Sequence, residues 1–262
     1  MTEDINPVYE SIDREFAAES ATTRRRMVAG VGGLLGSMGL LSALPQIASA
    51  GHKVDPQELL NIAATAEVLA TIVNTVGPEK INLDAITKRN VAAAAREELI
   101  HYDVLTSSGI GGKALTKRIW IPDAVFANQD GFLKTLVAGD QIFVNAYLIG
   151  VTTFGNAGNG RLARIASEFM AVEAVHRALA LQSLGQLGND RVFAKYSQPE
   201  ENKTDPFFPK PGFRRIGTAV DYLKQAGFGF GEQGAGPGSF YEFDEVRRRT
   251  PDPAEVNTRA PR

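Results

Sequence analysis

Apolar residues recur at three- and four-residue steps in four segments of the chain, which is the spacing of one buried face of an α-helix. The pattern predicts four helices, over residues 56–76, 84–106, 131–153 and 161–187. Asp55 before Pro56 is typical of a helix start, and Gly77-Pro78 predicts the end of the first helix. No alternating runs bounded by hairpin turns occur, and the only strand-like piece is RIWIP at 118–122. The sequence therefore predicts an all-α fold without a β-sheet core.

Ionisable residues interrupt the apolar face of every predicted helix. Each face carries one carboxylate near its middle, and two of the four carboxylates are followed by a histidine three residues later. The six residues are Glu67, Glu98, His101, Asp140, Glu173 and His176. A buried carboxylate costs several kcal/mol unless a cation meets it, and these faces carry no Lys or Arg. Helix residues three apart have Cβ atoms about 5–6 Å apart, so each Glu-His pair can hold one ion. We therefore expect a buried two-ion site.

Composition narrows the chemistry further. The chain has 262 residues, of which 22% are charged, with a net charge of −2 and no cysteine. This is an ordinary globular composition without the basic excess that indicates a nucleic-acid partner. The lack of cysteine excludes disulfides, iron–sulfur clusters and thiol catalysis, so a metal must be held by His and carboxylate ligands.

Residues 1–50 have the pattern of an export signal. Thr23-Arg24-Arg25-Arg26 leads into an uncharged, glycine-rich apolar run that ends in Ala48-Ser49-Ala50. This segment resembles a twin-arginine signal peptide with an A-x-A cleavage site, which implies the twin-arginine export machinery as a partner. The run from Met27 to Leu44 approaches the about 20 apolar residues that span a bilayer, so an uncleaved membrane anchor is the alternative. Either reading places the body of the protein outside the cytoplasm, in the periplasm, the cell envelope or the extracellular space.

The order Glu, Glu-x-x-His, acid, Glu-x-x-His along four helices resembles the ferritin-like di-iron or di-manganese carboxylate proteins. GDQIFVNAYLIGV and VEAVHRALA are also similar to an exported subgroup that includes desiccation-related proteins. The resemblance covers about residues 57–187 and implies an antiparallel four-helix bundle with a long crossover between helices 2 and 3. It also implies that the six residues named above hold two Fe or Mn ions.

Two positions depart from the family pattern. The third-helix ligand is Asp140 where the pattern has Glu, which is one methylene longer. Ala70 stands where the subgroup often has a second acid. Both changes would weaken one half of the site. Among nearby residues, we expect Tyr147 to be a core residue or a hydrogen-bond partner of a ligand, and Glu97 to face solvent.

The remainder of the chain is predicted to be less regular. We expect the bundle to occupy residues 51–190, followed over 191–230 by a loop and a short helix, TAVDYLKQAGF, packed on the bundle. Residues 231–262 are rich in Gly, Pro and charge and leave little apolar surface to bury, so we expect a disordered C-terminal tail.

Three functions are compatible with these features. The first is a metalloenzyme that handles Fe²⁺, O₂ or peroxide and would belong to the oxidoreductases. The second is a metal-free structural or protective bundle of the cell envelope, acting in oxidative or desiccation stress. The third is an envelope interaction module that uses the aromatic connection at 206–213. The sequence leaves the choice of metal and substrate open, and a homo-oligomer is possible.

Overall fold

Four long helices dominate the computed structural model, which describes residues 55–189 and 215–256. They are α1 (Pro56–Lys80), α2 (Ala85–Thr106), α3 (Gln129–Asn156) and α4 (Gly160–Ser183). Helix α1 packs mainly along α2 and α3 mainly along α4, while smaller contacts join α1 to α3 and α2 to α4. The chain is therefore mostly helical, as the periodicity predicted. The segment predicted to be an export signal and the aromatic connection at 206–213 lie outside the described residues.

The helix starts follow local hydrogen bonding. The Asp55 side chain accepts from the Gln57 amide at 3.0 Å, and Asp84, Asn128 and Asn159 cap the other three helices in the same way. Such caps satisfy amides that have no partner within the helix. The four boundaries that depend on capping thus lie within two residues of the predicted starts.

Three helix ends differ from the prediction, and the simplest case is α3, which runs to Asn156 instead of ending at residue 153. Helix α1 continues through Pro78 to Lys80. Proline removes one hydrogen bond to the preceding turn, but its fixed φ is compatible with a helix, so the chain can remain helical for two more residues. Gly77 has a packing role instead, since a Cβ there would lie 2.2 Å from the ring of Phe132. Helix α4 ends at Ser183, where Gly185 adopts a φ of 71° and Gln186 donates to the Leu181 carbonyl at 2.9 Å. This is the Schellman arrangement that a glycine after a helix permits.

A small sheet covers one side of the helices. Strand β1 (Arg118–Pro122) is the RIWIP segment, and it lies between β2 (Gly229–Phe230) and β3 (Gly238–Glu242). Both pairings are antiparallel, with Trp120 opposite Gly229 on one side and Phe240 on the other. The sequence predicted only the central strand. Its partners were missed because they are short and come from a glycine-rich segment far along the chain.

The C-terminal segment is ordered over its described part, so the expectation of disorder from residue 231 is wrong. It forms β3, α6 (Phe243–Val246) and α7 (Pro253–Val256), after the predicted short helix α5 (Ile216–Gln225). Phe243 and Val246 are fully buried. Arg247 pairs with Asp103 of α2 at 3.1 Å. The average composition of this segment indicated disorder, but a few apolar side chains and arginine contacts attach it to the long helices.

Glycine is what allows this segment to lie flat on the sheet. A Cβ on Gly234 or Gly238 would lie 2.7 Å from atoms of the Trp120 ring. Backbone approaches an aromatic ring this closely only where there is no side chain. The glycines that suggested disorder are thus positions of close packing.

Within residues 55–189 and 215–256, two helices, α1 and α3, are long and apolar enough to cross a membrane by length and composition alone. In α1, 83% of the apolar stretch is buried inside the protein. A core helix of a soluble protein is long and apolar for the same reason, because it is buried. The finding therefore carries little weight for a membrane location.

Replacing Phe243 with alanine should lower the free energy of unfolding by about 3–5 kcal/mol, because it empties a fully buried aromatic site. Urea denaturation of the parent and the variant measures this change. The matched control is Arg248→Ala, an exposed position two residues after Val246, which should change the value by less than about 0.5 kcal/mol. Equal stability of the parent and Phe243→Ala would show that the C-terminal segment is not part of the cooperative fold.

Candidate metal centre

All six residues predicted for the site lie in the interior between the four long helices. Their positions follow from the periodicity, since each belongs to the buried face of its helix. Glu67, Glu98 and Glu173 are fully buried, and the other three are exposed by at most 7%. Six ionisable side chains are thus removed from water in one region of the core.

Four of these residues converge on one point. Glu67, Glu98, His101 and Glu173 each contribute one ligand atom, and these four atoms lie within 4.8 Å of one another. The Nδ1 atom of His101 faces all three carboxylates, at 3.6 Å from Glu67 Oε2, 3.5 Å from Glu98 Oε2 and 3.4 Å from Glu173 Oε1. Three carboxylates and one imidazole from three helices could therefore bind a metal ion.

His176 contacts two of the same carboxylates from the other side. Its Nδ1 atom lies 3.1 Å from Glu98 Oε1 and 3.6 Å from Glu173 Oε2. Glu98 and Glu173 thus each turn one oxygen towards His101 and the other towards His176. Both carboxylates lie between the two imidazoles.

Asp140 lies near the cluster but outside the group of four. It is 6% exposed, and its Oδ2 atom has no hydrogen-bond partner among the described residues. It borders a small cavity of about 20 Å³ together with His176, which places it on the His176 side. Burial raises the pKa of Asp140 well above its usual value, as does the charge of Glu173, while His176 and Arg177 act in the opposite direction.

Few of the facing atoms are satisfied by hydrogen bonds. Among the described residues, no hydrogen-bond partner exists for Glu67 Oε2, both oxygens of Glu98 and Glu173, and Nδ1 of His101 and His176. Buried polar atoms of this kind are rare in folded proteins, and a bound cation would satisfy them. The oxygen and imidazole donors suit a hard or borderline metal ion better than a soft one.

The protonation states of the cluster depend on one another. Burial and, after it, the negative charge of Glu98 raise the pKa of Glu67 to about 8, against the opposing effect of His101. Burial lowers the pKa of His101, but the charge of Glu67 and the nearby carboxylates outweigh it, so that this pKa is well above its usual value. His176 behaves in the same way beside Glu173, Glu97 and Glu98. Without an ion, protons therefore compensate the negative charge.

Tyr147 and Phe169 fix the positions of two site residues. The Tyr147 hydroxyl donates a hydrogen bond to Glu67 Oε1, which leaves Oε2 facing His101. The Phe169 ring stacks on His101 with centroids 3.9 Å apart, and Tyr147 meets Phe169 edge-on. Tyr147 is therefore both a core residue and a partner of a candidate ligand, which were the two alternatives that the sequence left open.

Glu97 does not simply face solvent, and that expectation is wrong. Its Oε2 atom lies 2.7 Å from His176 Nε2, although 36% of its side chain remains exposed. This contact turns the Nδ1 atom of His176 towards the cluster. The sequence did contain a signal for this contact, since Glu97 lies four residues before His101 and therefore at the edge of the buried face of α2. Which residue Glu97 meets there depends on how α2 packs against α4, and the sequence of α2 does not specify that.

The fold and the cluster define a class: a mostly helical protein with a buried carboxylate–histidine group able to bind a metal ion. Comparison of the chain with protein-family models, with curated proteins and with solved structures found no match.

The metal-free protein should become less stable as the pH rises from about 4.5 to 8, the interval over which Glu67 binds a proton in the folded but not in the unfolded state. His101 and His176, whose pKa values are raised, act in the same direction above the usual histidine value. Replacing Glu67 with glutamine should therefore make the decline shallower. Denaturant unfolding in the presence of chelator, at a series of pH values, measures the slope.

Glu58→Gln, on the same helix but remote from the cluster, serves as the control and should keep the slope of the parent. An unchanged slope in Glu67→Gln would contradict the assignment of the raised pKa to Glu67.

Proposed function

We propose that this protein is a di-iron or di-manganese carboxylate protein with oxidoreductase chemistry towards O₂, peroxide or Fe²⁺. The observation that carries the proposal is the arrangement of Glu98 and Glu173, each with one oxygen towards His101 and one towards His176. A carboxylate placed in this way is suited to bridge two ions. In two-metal sites the ions lie about 3.5–4 Å apart, a distance that one carboxylate can span.

The remaining residues divide between the two ions. Glu67 faces His101 and would complete the ligands of one ion, with its second oxygen held by Tyr147. Asp140 borders the same small cavity as His176 and would serve the other ion, directly or through water. The pattern matches the ligand set of ferritin-like di-metal proteins, in which two helices give one acid each and two give Glu-x-x-His.

Charge also favours two ions over one. Four ionised carboxylates carry four negative charges, two neutral imidazoles carry none, and two divalent cations would balance the total. A single divalent cation would leave two negative charges buried in the protein interior, which is costly. Protons on Glu67 and Asp140 could neutralise these two remaining charges. The number of bound ions should therefore depend on pH, because ions and protons compete for the same carboxylates.

When bound, two such ions supply one-electron redox chemistry at each metal. The contribution of the chain is to hold and orient them. The Tyr147 hydroxyl fixes Glu67, Phe169 restrains the His101 ring, and Glu97 holds Nε2 of His176. The buried surroundings of the cluster exclude bulk water, which strengthens every electrostatic contact within it.

The proposal extends to fold and location. The two helix pairs, with the connection over 107–128 carrying β1, support a ferritin-like antiparallel four-helix bundle with a long crossover between α2 and α3. The twin-arginine pattern within residues 1–50 supports export by the twin-arginine machinery and a role outside the cytoplasm, in oxidative or desiccation stress. That export route carries folded proteins, so metal could be inserted before export.

A metal-free protective bundle is the second candidate. It is favoured by Asp140, which lies outside the group of four, and by the protons that can compensate the cluster without ions. Ala70, where the subgroup often has an acid, points the same way. In this case the carboxylates and imidazoles would act as a buried hydrogen-bonding and charge network that specifies how the helices pack.

Metal analysis of protein isolated gently from its native host separates the two candidates. The di-metal proposal predicts about two Fe or Mn ions per chain and a loss of thermal stability when chelator is added, because bound ions stabilise the folded state. The metal-free alternative predicts fewer than about 0.2 ions per chain and no effect of chelator.

Replacing Glu98 and His176 together with alanine should abolish binding of both ions, since Glu98 is placed to serve both and His176 one. The control is Glu168→Ala, an exposed residue of α4 that pairs with Arg164 and should retain the metal content of the parent. Unchanged metal content in the double variant would disprove the assignment of the site.

Replacing Glu97 with glutamine should weaken the binding of one of the two ions by about tenfold, because the amide keeps a hydrogen-bond acceptor for His176 but loses the negative charge. Competition with a chromophoric chelator measures the two affinities. Glu168→Gln is the matched control. Equal loss at both ions, or no loss, would show that Glu97 does not act through His176.

A further inference from the structure

An apolar cavity of about 150 Å³ lies beside the cluster, between α1, α3 and the C-terminal helix α5. Large apolar side chains form most of its wall, among them Leu69, Val73, Leu136, Phe143, Leu223 and Phe228. An apolar cavity of this size is about large enough for one benzene ring, and water gains little in it because few polar partners are available. The size and the lining therefore favour a small organic molecule over water.

Two buried polar side chains interrupt the apolar wall, Asn74 of α1 and Asp140 of α3. Asn74 is 3% exposed, and its Nδ2 atom donates to the Ala70 carbonyl at 3.1 Å. This bond fixes the amide and leaves Oδ1 without a hydrogen-bond partner among the described residues. A buried acceptor in this condition is costly unless a ligand or water donates to it.

The polar end of the cavity is also the end nearest the cluster. Asn74 and Asp140 border both this cavity and the small cavity that His176 borders. A molecule whose apolar part fills the larger cavity would therefore place its polar group beside the cluster. This arrangement is typical of ligand sites, where an apolar pocket carries a few polar groups that fix orientation.

We propose that this cavity binds a small, uncharged, ring-sized molecule with one hydrogen-bond donor, which points towards Asn74 Oδ1. Phenol has these properties, and toluene is a similar ring without the donor. A benzoate-like anion is disfavoured because its charge would be buried within a largely apolar wall. The proposal concerns binding alone and stands whether or not the cluster holds ions.

Gly139 offers a way to fill the cavity without disturbing the fold. It lines the cavity, and a Cβ added there would meet no atom within 4 Å. Gly155 lies on the same helix, is equally free around an added Cβ and does not line the cavity. Gly155→Leu is therefore the matched control for the change in helix propensity that accompanies Gly139→Leu.

Titrations of the full chain with phenol and with toluene, followed by NMR before and after chelation, test the site. The parent and Gly155→Leu should bind both probes saturably, and Gly139→Leu should bind both about tenfold more weakly or not at all. Thermal unfolding confirms that each variant is folded. Absence of saturable binding in the parent, or the same loss in Gly155→Leu, would overturn the proposal.

Asn74→Leu tests the polar contact separately, because leucine has the same branched arrangement of side-chain heavy atoms and no acceptor. It should weaken phenol binding about three- to tenfold, the effect of one lost hydrogen bond, and change toluene binding less than about twofold. An equal effect on both probes would overturn the assignment of Asn74 as the acceptor. Because none of these measurements requires a bound ion, failure here and failure of the di-metal proposal can be distinguished.

Discussion

The approach of Glu98 and Glu173 to both imidazoles is the constraint on which the rest of the structure depends. Four carboxylates and two imidazoles lie where water cannot solvate them, and like charges would separate the helices if nothing compensated them. Protons can do so, as the raised pKa of Glu67 indicates, and metal ions can do so more completely. The surrounding helices must therefore hold the carboxylates together against their mutual repulsion when no ion is bound. They must also leave room for ions if the cluster binds them.

The apolar part of the fold meets this requirement by close packing. Phe132 lies against Gly77 where α3 meets α1, and Phe169 stacks on His101 where α4 meets α2. Tyr147 contributes an aromatic body to the core and a hydroxyl to Glu67. The same interior also leaves an apolar cavity with a polar end next to the cluster. The proposed small-molecule site would therefore lie beside the proposed metal centre.

The predictability of these features differs with their physical origin. The buried faces of the four helices were predicted because helical periodicity is local, and Leu60, Ala94, Val137 and Phe169 are positioned as it required. The C-terminal segment was mispredicted because its average composition hides the few residues that matter. Phe243 and Val246 are fully buried, and Gly234 and Gly238 allow backbone to lie on Trp120. Composition averages over a segment, whereas packing depends on single side chains.

The candidate site shows the same division. The sequence by itself determined that six ionisable residues occupy buried helical faces, because a helix turn places residues three and four apart on one side. Only the tertiary structure decided that Glu98 and Glu173 lie between the two histidines, that Glu97 contacts His176 and that Asp140 lies to one side. Those relations join different helices, and the rotation and offset of one helix against another are set by long-range packing, which the periodicity of a single helix does not specify.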